Sequence, residues 1–201
     1  DRLANNESLR GIPNISFLEG DKIESGPGKE RDELNGTNRI FFENFIDIEP
    51  YVKKFNIFFP RNYMSPNSRT LPILTGLGCS YKCAFCENAL LGHRHRSLSA
   101  GEIVKHIEYY KKKFNIGSFY LFDEDFFIDK PRLFEFVELL GKKDLGIKWG
   151  TPCRVNYFNE RYITKSLLKD LQKTGCSKLA MGVESGSPKI LKKIMKGITP
   201  E

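Results

Sequence analysis

From residue 71 onward the chain repeats one pattern, in which a short apolar run leads through a polar or glycine-containing break into apolar residues at helical spacing. Residues 71–75 predict a strand that stops at Gly76. Ser99 with Glu102 three positions later is a capping box, and Ile103, Ile107, Tyr110 and Phe114 then recur on one helical face. Residues 119–122 predict the second strand. Asp129 caps a helix with Pro131 in its first turn, whose stripe of Leu133, Phe136, Val137 and Leu140 ends at Gly141. Residues 147–151 predict a third strand, and Asn159 opens a helix carrying Ile163, Leu167, Leu168 and Leu171 that closes at Gly175. Residues 178–183 predict the fourth strand, and Ser187 with Pro188 starts a last helix through Ile190, Leu191 and Ile194 to Gly197.

The predicted strands begin near residues 118, 147 and 178, the repeat of about 30 residues expected of strand–helix–strand units with a parallel sheet. Such sheets close into barrels or stay open and doubly wound, and both place their chemistry at the carboxyl ends of the strands. The polar residues at those ends are therefore the candidate site. Cys79, Cys83 and Cys86 follow strand one; Asp123, Glu124 and Asp125 follow strand two; Cys153 and Arg154 follow strand three; Glu184 and Ser185 follow strand four. All four groups are expected on one rim.

Residues 1–70 lack this periodicity. Residues 15–23, with Glu19-Gly20-Asp21 at the centre, predict a small hairpin. The remainder is rich in turn chemistry, and Pro50, Pro60, Pro66 and Pro72 break up any long helix there. The region is expected to be a connector packed on something else.

At 201 residues and 40% hydrophobic composition, one domain with a sizeable core is expected. No apolar run is long enough to cross a bilayer and no signal segment is evident, so a cytoplasmic location without membrane contact is expected. The first residue, Asp1, and the helix-like start at the other end suggest a piece of a longer protein. Residues 1–70 hold 10 basic against 11 acidic residues, and residues 71–201 hold 22 against 14. Many of these lysines, including Lys111 to Lys113, Lys192 and Lys193, lie on polar helix sides, which favours solvated faces over a nucleic-acid partner.

Three of the five cysteines fall within eight residues, in the spacing C-x3-C-x2-C. Thiolates so close together, in a chain without disulfide-rich character, suit a metal or cluster. Three ligands leave two readings: a distant fourth ligand, as in a structural zinc site completed by His93 or His95, or an open coordination position. Cys153 and Cys176 read as small buried apolar groups.

The cysteine spacing, with Phe85 directly before the last cysteine, resembles the cluster loop of the radical S-adenosylmethionine (radical SAM) family. The segments D-E-D-F from Asp123, W-G-T-P-C-R from Trp149, G-V-E-S-G-S from Gly182 and K-G-I-T from Lys196 are similar to the later motifs of its cobalamin-associated branch, in the right order over residues 71–201. The resemblance implies an α/β fold, a partial TIM-type (β/α)6 barrel truncated after about four strand–helix units, with residues 1–70 following a cobalamin-binding type of domain that lies outside the chain. It implies a 4Fe-4S cluster on Cys79, Cys83 and Cys86 that cleaves bound S-adenosyl-L-methionine to methionine and a 5'-deoxyadenosyl radical. Asp123, Glu124 and Asp125 would lie by the methionine ammonium, Arg154, Glu184 and Ser185 on the carboxylate and ribose side, and Phe85 at the nucleoside wall. Implied partners are an unknown small-molecule substrate and a one-electron donor such as flavodoxin or ferredoxin, with cobalamin as a further cofactor. A tRNA-modifying methylthiotransferase is the alternative within the family, and a non-catalytic zinc-binding Cys3His module the alternative outside it.

Overall fold

The computed structural model describes residue 5 and residues 7–28, 46–54, 69–88 and 94–200. The chain divides into two compact units, Asp1–Asp32 and Glu33–Glu201. In the first, β1 (Ser16–Glu19) pairs antiparallel with β2 (Lys22–Ser25), with Gly20 at the turn where the sequence predicts a hairpin.

The second unit is built on a four-stranded, all-parallel sheet in the order β3 (Thr70–Ile73), β6 (Ser118–Leu121), β7 (Lys148–Cys153), β8 (Cys176–Met181). Three crossovers join these strands: α2 (Ala100–Phe114), α3 (Lys130–Lys143) and α4 (Lys165–Lys173); α5 (Pro188–Lys193) follows β8. Strands without a tight turn between them need such helices to run parallel, which is why the sequence alternates its two periods. The helices begin at side-chain caps. The Ser99 side chain accepts from the Glu102 amide, Asp129 from that of Arg132, and Thr164 from that of Leu167.

The core lies between the helices and one face of the sheet. Phe119 and Trp149, neighbours across β6 and β7, stack with ring centroids 6.1 Å apart. Phe136 of α3 meets Trp149 edge-on at 5.4 Å, and Phe126 fills the remaining side at 6.3 Å. Ile103 and Ile107 of α2 and Leu171 of α4 complete the layer. Alternate residues of the same strands, Tyr120, Gly150 with Pro152, and Lys178 with Ala180, belong to the opposite face by the strand period.

Three details depart from expectation. Gly141 lies inside α3, which runs on to a left-handed Asp144, because two polar residues, Lys142 and Lys143, extend the helix past its apolar stripe. Asn159 does not open a helix; the chain first makes a 3-10 turn at Val155–Tyr157 that buries Tyr157, and α4 starts at its Thr164 cap. A short helix, α1 (Glu49–Lys54), occurs in the region expected to be loop-like, within what the prolines allow, since they exclude only a long helix and Pro50 sits in its first turn and needs no amide partner there. The buried side chains of Ile48 and Val52 and the Glu49–Arg69 ion pair tie α1 to β3. No helix among the described residues is long and apolar enough to cross a membrane.

Candidate cluster and cofactor site

The cysteine loop hangs from the carboxyl end of β3 and is closed at its base. β4 (Gly76–Leu77) pairs antiparallel with β5 (Arg96–Ser97), and the Leu98 amide donates to Thr75 O at 2.8 Å. Gly78 turns the chain out of this ribbon at φ +82°, where a Cβ would lie 2.1 Å from Arg94 O, so only glycine fits. Further along, the Ala84 amide donates to Ile194 O at the end of α5 (2.9 Å), the Cys86 amide to Cys83 O (3.1 Å), and Asn88 Nδ2 to Cys86 Sγ (3.6 Å). Cys79 and Cys83 are buried, Cys86 is half-buried, and all three are free thiols. Burial pushes the Cys79 thiol above its ordinary value, opposed in part by a hydrogen bond from the Tyr81 backbone.

The three cysteines line one cavity of about 280 Å³. Its other walls are Glu124 after β6, Pro152, Cys153 and Arg154 at the end of β7, and Ala180 and Gly182 from β8 onward, with Phe85 and Lys196 beside the loop. Four strand ends thus meet at one concavity, the arrangement expected from the alternating pattern.

A profile of the radical SAM superfamily matches residues 73–201. The chain belongs to the radical SAM superfamily. An uncharacterized methyltransferase of Pyrococcus horikoshii is 28% identical over 202 residues, an alignment covering 100% of this chain and 40% of that protein. Two solved structures share the fold. The cobalamin-dependent S-adenosylmethionine radical enzyme OxsB, with aqua-cobalamin and S-adenosylmethionine bound, superposes with a TM-score of 0.64 at 22% identity over 99% of this chain and 28% of its own. The radical S-adenosylmethionine methyltransferase TsrM from Kitasatospora setae superposes with a TM-score of 0.69 at 17% identity, over 98% of this chain and 38% of its own. The chain therefore spans well under half the length of these relatives.

Within this radical SAM fold the acidic residues after β6 separate into three environments. Asp123 is turned into the protein: it accepts from the Thr75 amide at 2.7 Å and the Thr75 hydroxyl at 2.6 Å, and Arg132 Nη2 lies 3.7 Å from it. Burial raises the Asp123 carboxyl and lowers the Arg132 guanidinium from their ordinary values, so desolvation outweighs their mutual attraction. Asp123 stitches β3 to β6 beneath the loop and is absent from the cavity wall. Glu124 is exposed and lines the cavity. Asp125 is 1% exposed; its Oδ2 accepts from the Tyr157 hydroxyl at 2.6 Å, while its Oδ1 has no hydrogen-bond partner among the described residues. Burial raises the Asp125 carboxyl too, against the lowering influence of Tyr157 and Arg154.

Arg154 faces the cysteines. Its Nη1 donates to Cys83 Sγ at 3.7 Å, its Nε to Asn156 Oδ1 at 3.1 Å and its Nη2 to Lys196 O, while the guanidinium lies 3.5 Å from the centre of the Tyr81 ring. Glu184 adopts φ +63° and accepts from Lys196 Nζ at 2.9 Å. The Ser185 hydroxyl is used locally, accepting from the Ser187 amide at 3.1 Å. Neither Glu184 nor Ser185 is among the cavity-lining residues. Phe85 is 57% exposed, with Lys196 Nζ 5.7 Å from its ring centre.

Tyr81, Asn88 and Lys196 line the cavity, and Tyr157 holds Asp125, none of them singled out by strand-end reasoning. Lys196 stood inside the K-G-I-T segment, so position in a motif was its only signal; the other three carry none. His95, offered by the sequence as a possible fourth zinc ligand, has its Nε2 buried beside Gly76 at the foot of the ribbon, and burial lowers the imidazole from its ordinary value. It does not line the cysteine cavity. His93 lies outside the described residues. Among the described residues, no three His, Cys, Asp or Glu side chains gather closely enough to hold a single metal ion. A four-iron cluster has a different requirement, three sulfurs spread around one concavity with the fourth iron open, and Cys79, Cys83 and Cys86 around the cavity fit it.

Proposed function

We propose that this chain is the cluster- and S-adenosylmethionine-binding part of a radical SAM methyltransferase that works with cobalamin. The observation that carries this reading is the convergence of three free cysteines with the carboxyl ends of β6, β7 and β8 on one cavity. Cys79, Cys83 and Cys86 would ligate three irons of a 4Fe-4S cluster, leaving the fourth for the amine and carboxylate of S-adenosylmethionine. When bound, the pair supplies one-electron reductive cleavage of the sulfonium; the electron would come from a small donor of the flavodoxin or ferredoxin kind.

The chain's own residues divide the remaining work. Asp125 does not itself line the cavity but directly follows Glu124, which does; its Oδ1, buried without a hydrogen-bond partner among the described residues, is suited to accept from an ammonium, with Tyr157 fixing the other carboxylate oxygen. Glu124 offers a second acceptor at the cavity mouth, and the exposed ring of Phe85 offers a stacking wall for a nucleoside. Lys196, which lines the cavity, is paired with Glu184, whose carboxylate would accept from the ribose hydroxyls. The cobalamin reading rests on the similarity in fold to OxsB, and the methyltransferase reading on the Pyrococcus relative.

Anaerobic reconstitution with iron and sulfide tests the proposal. The expected result is about four irons per chain, an electron paramagnetic resonance signal on reduction that changes when S-adenosylmethionine is added, and loss of both on combined Cys79→Ala, Cys83→Ala and Cys86→Ala substitution. Retention of zinc without iron, or a cluster that survives the triple substitution, overturns it.

A further inference from the structure

We propose that Arg154 is a positioning residue for the cluster, fixing the cysteine loop for metal loading and raising the cluster's reduction potential through its N–H on Cys83 Sγ. This inference rests on the cluster reading above. It departs from the expectation that Arg154 pairs with a ligand carboxylate.

An arginine that clamps a carboxylate must present two adjacent N–H groups as a free fork. Arg154 has neither edge free: Nε and Nη2 are turned to Asn156 Oδ1 and Lys196 O, and Nη1 is turned to Cys83 Sγ. Its flat face is also taken, at 3.5 Å over Tyr81, which stands between Cys79 and Cys83 in the loop. Asn156 Nδ2 donates in turn to the Tyr81 hydroxyl at 3.3 Å, so Arg154, Asn156 and Tyr81 form a closed ring. With Arg154 only 8% exposed, one side chain joins the cysteine loop, the turn after β7 and the segment after α5. Arginine alone among side chains supplies enough donors, in a fixed plane, for all of these at once.

The electrostatic consequence follows from what reduction does. A ligating cysteine sulfur carries negative charge, and adding an electron to the cluster increases it. A donor and a fixed cation next to that sulfur, in surroundings with little water, stabilise the reduced form more than the oxidised one.

The experiment is a redox titration of the anaerobically reconstituted protein, monitored by electron paramagnetic resonance, together with iron retention under chelator challenge. Arg154→Gln is expected to shift the midpoint to more negative potential and to shorten iron retention several-fold. Arg154→Lys keeps a charge without the fork or the stack, so its midpoint is expected between those of the parent and Arg154→Gln, with retention also reduced. A residue with only a structural role would change the melting temperature and leave the potential of the loaded fraction unmoved. Parental potential in loaded Arg154→Gln overturns the inference. If that variant does not load, Arg154→Lys decides: a negative shift supports the proposal and an unchanged midpoint overturns it. Failure of the parent protein to take up iron would instead overturn the cluster reading, so the two failures are distinguishable.

Discussion

Thr75 gives Asp123 both its amide and its hydroxyl, at 2.7 and 2.6 Å, and so ties the end of β3 to the end of β6 where the cysteine loop begins. The pair explains why an acidic residue follows β6 at this position without touching the cavity. Removing the carboxylate as Asp123→Ala leaves the Thr75 amide without its acceptor and Arg132 as a buried charge whose ion-pair partner is gone. A loss of about 3 kcal/mol is expected, measured by urea unfolding of the protein before any iron is added. Unchanged stability of the iron-free variant would return Asp123 to the ligand-binding residues.

How far the sequence carries depends on the range of the interaction. The strand and helix alternation, the caps at Ser99 and Asp129 and the cysteine loop were legible because each is encoded within a few neighbouring residues. The start of α4 was not, because burial of Tyr157 against Asp125, 32 positions away, holds residues 155–157 in a separate turn. Strand-end logic likewise brought Arg154 to the rim without saying what it faces. Its partner Cys83 is 71 positions away, and the charge on Arg154 suggested a ligand carboxylate equally well. The three acidic residues after β6 look alike in sequence and differ only in what the fold places against each.

Gly78 is the point at which the cysteine loop leaves the ribbon, with positive φ and Arg94 O where a side chain would go. Gly78→Ala is expected to cost about 1–3 kcal/mol of local backbone strain and to reduce iron uptake severely, since Cys79 is the next residue. Gly101 in α2 has nothing within 4 Å of its Cβ position and serves as the control. Gly101→Ala should load iron like the parent and gain up to about 1 kcal/mol from helix propensity. Equal iron content in the two variants would contradict this account.

Cys153 and Cys176 are held as neutral thiols, both pushed up to about 12 by burial. At pH 8 their thiolate fraction is on the order of one in ten thousand. Iodoacetamide applied to the folded protein is therefore expected to leave both unmodified, and peptide mass spectrometry after unfolding should find them free to react with a second label. First-label modification of Cys153 would show that its sulfur is reachable from the cavity it lines.

Asp125 supplies the prediction in which stability and binding move in opposite directions. Burial raises its folded-state pKa above the unfolded value, so near neutral pH the fold holds a carboxylate at an energetic cost. That cost fades as pH falls through the raised folded-state pKa and is absent below the unfolded one, where both states are protonated. Asp125→Asn keeps a neutral acceptor for the Tyr157 hydroxyl and removes the buried charge. It is expected to unfold at higher urea concentration than the parent at pH 7, with the difference shrinking toward acid pH. The same substitution replaces the partnerless Oδ1 proposed to receive the ammonium. A charged hydrogen bond of about 1.5–3 kcal/mol is lost, so S-adenosylmethionine should bind the iron-loaded variant about tenfold or more weakly. A variant that is less stable at pH 7 and binds the cofactor normally would make Asp125 a structural residue like Asp123, and would move the ammonium to Glu124.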